Sequence, residues 1–134
     1  MRILTAKQIK AVETRAFESD STEAELMLKA GTTCFEKICK IFSESLANSR
    51  VGVFCGNGKN AGDGFVIADL LKKINVFTDI ILCDKEPTVD EPKMYYQKAI
   101  NNGVKVISFT KLGVENYDII VDCIFGIGFH GEAK

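Results

Sequence analysis

Two stretches of this chain bring together residue types that can hold an anion or a cation. In Cys55-Gly56-Asn57-Gly58-Lys59-Asn60-Ala61-Gly62-Asp63-Gly64, four glycines fall within nine residues, beside a lysine, an amide and a carboxylate. Glycine accepts positive φ and lets backbone N–H groups approach an anion closely. A helix opening from this stretch would add the partial positive charge of its N-terminus, and phosphate is the natural guest. The pattern is neither the phosphate loop GxxxxGK[ST] nor the dinucleotide fingerprint GxGxxG. A plain turn from strand to helix needs two glycines at most. Asn60 reads equally as a turn former and as a ligand contact. Asp63 reads as a helix cap or as a ligand contact, and it is the one candidate acid or base in this stretch.

The second stretch is Asp122-Cys123-Ile124-Phe125-Gly126-Ile127-Gly128-Phe129-His130-Gly131-Glu132. It matches GxGxxG at Gly126, Gly128 and Gly131, a weak signal alone, with a tight strand exit nearly as good a reading. Asp122 interrupts an apolar run, where an unpaired carboxylate is costly, so it needs a cation, a ligand donor or backbone N–H groups. His130, the single histidine, reads as an exposed loop residue.

Positioning these residues falls to a recognisable string of elements. Thr5, Gln8 and the pair Leu4/Ile9 mark a first helix to about Phe17. Thr22 and Glu25 mark a second, whose apolar face runs Met27, Ala30, Gly31, Cys34, Phe35, Ile38, Ile41 and Phe42 toward an end near Ala47-Asn48. Gly31 on that face predicts close approach of a neighbour. Strands follow at Val51–Cys55, Val76–Cys83, Val104–Ser108 and Asp118–Phe125. Helices are expected at Gly62–Lys73 and from Thr88 or Asp90 to Asn102, where Tyr95 and Tyr96 read as packing and surface residues. The link Phe109–Tyr117 has room for one helical turn. Runs such as VGVFC and IIVDCIF are continuously apolar, as in a parallel sheet buried on both faces. The order predicts an open α/β sheet, 3-2-1-4, with both glycine stretches at the switch point between strands one and four.

Composition bounds the rest. The 134 residues are one domain by length, and 17 Lys+Arg against 18 Asp+Glu leave no basic excess for nucleic acid. No apolar run is long enough to span a membrane, and the first ten residues show no signal-peptide pattern. Cys34, Cys39, Cys55, Cys83 and Cys123 have no CxxC spacing and sit among apolar neighbours, which reads as free thiols in a reducing cytosol and predicts a cytoplasmic location. A single histidine argues against a structural zinc site.

The opening Ile3-Leu4-Thr5-Ala6-Lys7-Gln8, the segment Leu28-Lys29-Ala30-Gly31, the loop CGNGKNAGDG and the exit VDCIFGIGF together resemble the YjeF N-terminal domain family, in order along the whole chain. The resemblance implies a Rossmann-like three-layer αβα sandwich with a mainly parallel sheet. It implies an NAD(P)H-hydrate epimerase, which interconverts the R and S epimers of NADH or NADPH carrying water at C6 of the nicotinamide. Carried over residue by residue, it places the substrate on Lys59, Asn60, Ala61, Gly62 and Asp63, and on Gly126, Ile127, Gly128, Phe129, His130, Gly131 and Glu132. It places a potassium ion on Asn60 and Asp122, and it implies an ADP- or ATP-dependent NAD(P)H-hydrate dehydratase as fused or separate partner.

Lys59 and Ala61 stand where the family commonly has Asn and Gly. Ala61 then requires negative φ, and Lys59 adds a phosphate contact. The family continues into an Asp-Ile-Pro-Ser-Gly-like motif, so the domain is expected to be truncated at Lys134. The main catalytic acid is expected beyond it, the isolated chain to be inactive, and the exposed edge of the fourth strand to make it aggregation-prone or a homodimer. A non-catalytic scaffold of the same fold and an NAD(P)-dependent oxidoreductase are the competing readings.

Overall fold

In the computed structural model, the residues described are 22–88, 90–113, 116–124 and 128–131, the last group as backbone only. The first helix expected from Thr5, together with Gly126, Ile127 and Glu132, lies outside them. Helix α1 (Glu23–Phe42) starts where the capping pattern places it: Thr22 Oγ1 accepts from the Glu25 amide at 3.1 Å. It stops earlier than the apolar periodicity suggests. Ser43 takes φ 43° and a 3-10 turn, Ser43–Asn48, follows. The serines are the reason. Ser45 Oγ donates to the Phe42 carbonyl and Ser49 Oγ to that of Ser45, offering the backbone an alternative to α-helix.

Strands β1 (Arg50–Cys55), β2 (Phe77–Leu82), β3 (Lys105–Ser108) and β4 (Ile119–Cys123) are parallel, with α2 (Lys59–Lys73) after β1 and α3 (Asp90–Asn101) after β2. A fifth strand, β5 (Gly128–Gly131), runs antiparallel to β4, and the order is β3-β2-β1-β4-β5. The expected α/β class, mainly parallel sheet and 3-2-1-4 core order are what the molecule has. Two expectations are corrected. The stretch after β4 is not a loop throughout, because Gly128–Gly131 form β5. The outer edge of β4 is therefore paired rather than naked. The link after β3 holds one 3-10 turn, Phe109–Lys111.

Helix α2 lies on the sheet, between α1 and α3. Its face of the sheet carries Val51, Val53 and Cys55 of β1, Ile80 of β2, and Ile119, Val121 and Cys123 of β4, all fully buried. Phe65 of α2 packs on Tyr96 of α3 at 5.1 Å between rings, and the Tyr95 hydroxyl donates to the Ala24 carbonyl at 2.7 Å, so both tyrosines are buried packing residues. Gly31 makes the predicted close approach: a Cβ there would stand 2.6 Å from the Val66 side chain of α2.

On the opposite face the described residues carry no helix. Tyr117 covers it instead. Its ring lies so close over Gly52 that a Cβ would meet it at 2.8 Å, and its hydroxyl donates to Asp79 Oδ2 at 2.8 Å. Phe54 meets Tyr117 and Phe109 edge-on. Arg50 stacks on Phe77 at 4.5 Å from the ring centre.

Candidate functional site

Parallel strands β1 and β4 are neighbours, so their C-terminal ends open on the same edge of the sheet. The two exits touch there. The Gly56 amide donates to the Cys123 carbonyl at 3.2 Å, and a Cβ on Gly56 would stand 2.9 Å from the Ile124 carbonyl oxygen. Winding reverses between these two strands, which makes this the crevice where open α/β sheets take ligands.

The glycine stretch divides differently from its sequence reading. Only Gly56, Asn57 and Gly58 form the loop, and α2 begins at Lys59 rather than at Gly62. Of the glycines in this stretch, only Gly58 has positive φ (86°). Gly62 and Gly64 sit inside the helix for packing. A Cβ on Gly62 would collide with Sδ and Cε of Met27, and one on Gly64 would lie 2.7 Å from Cys55 Sγ and 3.1 Å from Cys123 Sγ. These two glycines therefore seat α2 against α1 and against the ends of β1 and β4. Ala61 is helical, meeting its requirement for negative φ.

Lys59, Asn60, Ala61, Gly62 and Asp63 thus form the first turns of α2 at the mouth of the crevice. Gly58 caps the helix without a side-chain bond, and no acidic residue lies in the first turn. A helix start of this kind turns its amides and the positive end of its dipole outward, which suits an anion. Asp63 is not a cap. It is the fifth helical residue, 3% exposed, and its charge acts on the thiols of Cys34 and Cys123. Lys59 Nζ pairs with Glu23 Oε1 of α1 at 2.9 Å.

Asp122 is half-buried near the end of β4. Its Oδ1 accepts from the Ile124 amide at 3.0 Å, a backbone partner of the kind a carboxylate in an apolar strand requires. Asn60 and Asp122 are oxygen donors, the kind a hard cation takes, and they stand on elements that meet at this edge. Among the described residues no three His, Cys, Asp or Glu side chains cluster as a metal site, so a cation here would also need backbone or ligand oxygens. Gly128, Phe129, His130 and Gly131 lie on β5, with Gly128 paired to Asp122 and Gly131 to Ile119, so this strand leads away from the crevice.

Three thiols are buried in the core, Cys34 on α1 and Cys55 and Cys123 under Gly64 of α2. Burial pushes Cys34 up to about 12, with a further rise from Asp63. Cys55 and Cys123 are held well above the ordinary thiol range, chiefly by burial. They are protonated core residues, as the sequence suggested, and all five cysteines are free. The sequence reading missed Asp79, a buried carboxylate in the strand FTDIIL. The rule that singled out Asp122 would have found it. It also missed Glu23 as partner of Lys59, for which no sequence signal exists.

A mainly parallel α/β sheet with a helix start and a carboxylate at its switch point defines a Rossmann-like domain. The profile of the family described as YjeF-related protein N-terminus matches residues 23–134, and the chain belongs to that family. An NAD(P)H-hydrate epimerase of Roseobacter litoralis is 32% identical, over 96% of this chain and 65% of its own length. A bifunctional NAD(P)H-hydrate repair enzyme of Coxiella burnetii is 28% identical over 96% of this chain and 26% of its own. The crystal structure of the yeast protein ynu0 superposes with a TM-score of 0.69 at 25% identity, covering 94% of this chain and 57% of that one. The chain thus spans under two-thirds of these relatives. Among the described residues no helix is long and apolar enough to cross a membrane.

Proposed function

We propose that this chain binds hydrated NADH or NADPH at the β1/β4 switch point and belongs to an epimerase acting on C6 of the hydrated ring. The observation that carries the reading is the uncapped start of α2 facing the exit of β4 within a family whose relatives include named NAD(P)H-hydrate epimerases. The amides of Lys59, Asn60 and Ala61 take phosphate oxygens, with Lys59 as a further cation. On the other side of the crevice, the end of β4 with Asp122 is the part of the second stretch nearest the ligand.

C6 of the hydrate is a carbinolamine carbon. A carboxylic acid within hydrogen-bond reach protonates the hydroxyl, and the ring nitrogen's lone pair expels it as water, leaving an iminium ring and a carboxylate. Water then adds to either face, its proton returns to the carboxylate, and the configuration at C6 is scrambled. Asp63 is the candidate within this chain. The resemblance puts the stronger candidate in the part of the domain that the relatives carry beyond the matched length, so binding is assigned to this chain and turnover to the whole domain. Asn60 and Asp122 are the residues that would hold potassium, which would supply a fixed positive charge when bound. The bifunctional relatives support a dehydratase as partner.

The test is chromatographic separation of R- and S-hydrated NADPH after incubation of one epimer with the protein carrying its whole domain. Formation of the other epimer above the uncatalysed rate, with potassium dependence lost in Asp122→Ala, is the expected result. Tight binding without interconversion would point to the scaffold reading, and absence of both would refute the proposal.

A further inference from the structure

The ion pair at the start of α2 is arranged against local preference. A cation in the first helical turn meets the positive end of the dipole, and helix starts ordinarily take their carboxylate from that same turn. Here α2 has Lys59 as its first residue and no acidic residue in that turn. The carboxylate comes from another helix: Glu23, the first residue of α1, lies with Oε1 2.9 Å from Lys59 Nζ. Its placement is fixed by the frame. Gly31 and Gly62 bring α1 and α2 into close contact through Val66 and Met27, so the two helix starts cannot drift apart. The pair is open to solvent, its side chains being 72% and 51% exposed, so a ligand can reach it.

We propose that Glu23 is an intramolecular competitor for the phosphate of the incoming dinucleotide. It occupies Lys59 when the crevice is open and is displaced when a ligand phosphate takes that lysine. Glu23 then sets the affinity of the site without touching the reacting ring. The inference rests on the reading that the start of α2 receives a dinucleotide. Its magnitude is bounded by the ordinary worth of an exposed pair: removing the competitor tightens binding by roughly two- to fivefold.

The experiment is calorimetric titration of NADP+, NAD+ and inorganic pyrophosphate into the full chain at low ionic strength. Four forms are compared: wild type, Glu23→Gln, Lys59→Gln and the double variant. Glutamine keeps the shape and the helix position of Glu23 and removes only its charge. Glu23→Gln should bind NADP+ about two- to fivefold more tightly than wild type, and this gain should vanish when Lys59 is also glutamine. A gain with NAD+ and pyrophosphate as well places Lys59 at the diphosphate bridge; a gain confined to NADP+ places it at the 2′-phosphate. Unchanged or weaker binding by Glu23→Gln, while wild type binds, overturns the inference alone. So does an equal gain in the Lys59→Gln background, which would mean simple repulsion by Glu23. Failure of every form to bind refutes the dinucleotide reading itself, and the inference with it.

Discussion

Replacing Gly64 with alanine sets two well-known effects against each other. Helix propensity favours alanine by about 1 kcal/mol in a helix interior. Packing opposes it. The new Cβ would lie 2.7 Å from Cys55 Sγ, 3.1 Å from Cys123 Sγ and 3.2 Å from Cys123 Cβ. Comfortable contact starts near ~3.5 Å. Both thiols are fully buried and have one side-chain torsion each, so neither can retreat. Overpacking of this kind costs roughly 1–3 kcal/mol. The difference is a net loss of up to ~2 kcal/mol, or a fall in Tm of up to about 8 °C for a chain of this length, and a contact as short as 2.7 Å puts it in the upper part of that range. Urea and thermal unfolding followed by circular dichroism would measure it. Gly62→Ala is the control: its clash is with Sδ and Cε of Met27, the far end of a flexible side chain, and it should cost less. Adding Cys55→Ala to Gly64→Ala should recover part of the loss, with the pair less than additive. A Gly64→Ala chain as stable as wild type, or one harmed less than Gly62→Ala, would refute the account of these glycines.

Three further outcomes can be checked. Tyr117→Phe strips the buried Asp79 carboxylate of its hydroxyl donor and should cost about 1–3 kcal/mol in urea unfolding, more than a solvent-exposed tyrosine would. Stability should fall as pH rises from 9 toward about 12, because the thiol of Cys34 keeps its proton in the fold when the unfolded chain has lost it. The slope approaches ~1.4 kcal/mol per pH unit for each such thiol, and Cys34→Ala should flatten the profile. Thr22→Ala should lower stability by ~1 kcal/mol through loss of the α1 cap, visible as a lower urea midpoint with unchanged slope.

The strand order was legible because it follows from element order, right-handed crossovers and continuously apolar runs, all properties of the sequence itself. The cap at Thr22 and the close approach at Gly31 were legible for the same reason, each having one local cause. Glycine function was not. Gly56, Gly58, Gly62 and Gly64 look alike in a string, yet one carries positive φ and the others meet a carbonyl, a thioether and two thiols. What distinguishes them is the partner across space. β5 escaped because GFHG is short and glycine-bounded, and its pairing is supplied by β4 rather than by its own propensity. The Tyr117–Asp79 bond spans 38 positions, and no spacing rule reaches that far.

The root of β4 is tied to β1 by a reciprocal pair of bonds. The Arg50 amide donates to Asp118 Oδ2, and the Asp118 amide to the Arg50 carbonyl, both at 2.8 Å. These partners are 68 positions apart, whereas β1, α2 and β2 follow one another directly. Closing so large a loop costs entropy that local pairings escape, which places β4 late in folding. Asp122 travels with it. The crevice is therefore assembled from an early half, bearing Lys59 and Asn60, and a late half, bearing Asp122. A ligand that bridges them holds the latest-formed pairing in place, so its binding free energy acts directly on the step that completes the sheet. Amide exchange in Ile119–Cys123 should slow on ligand addition by more than exchange in Phe77–Leu82.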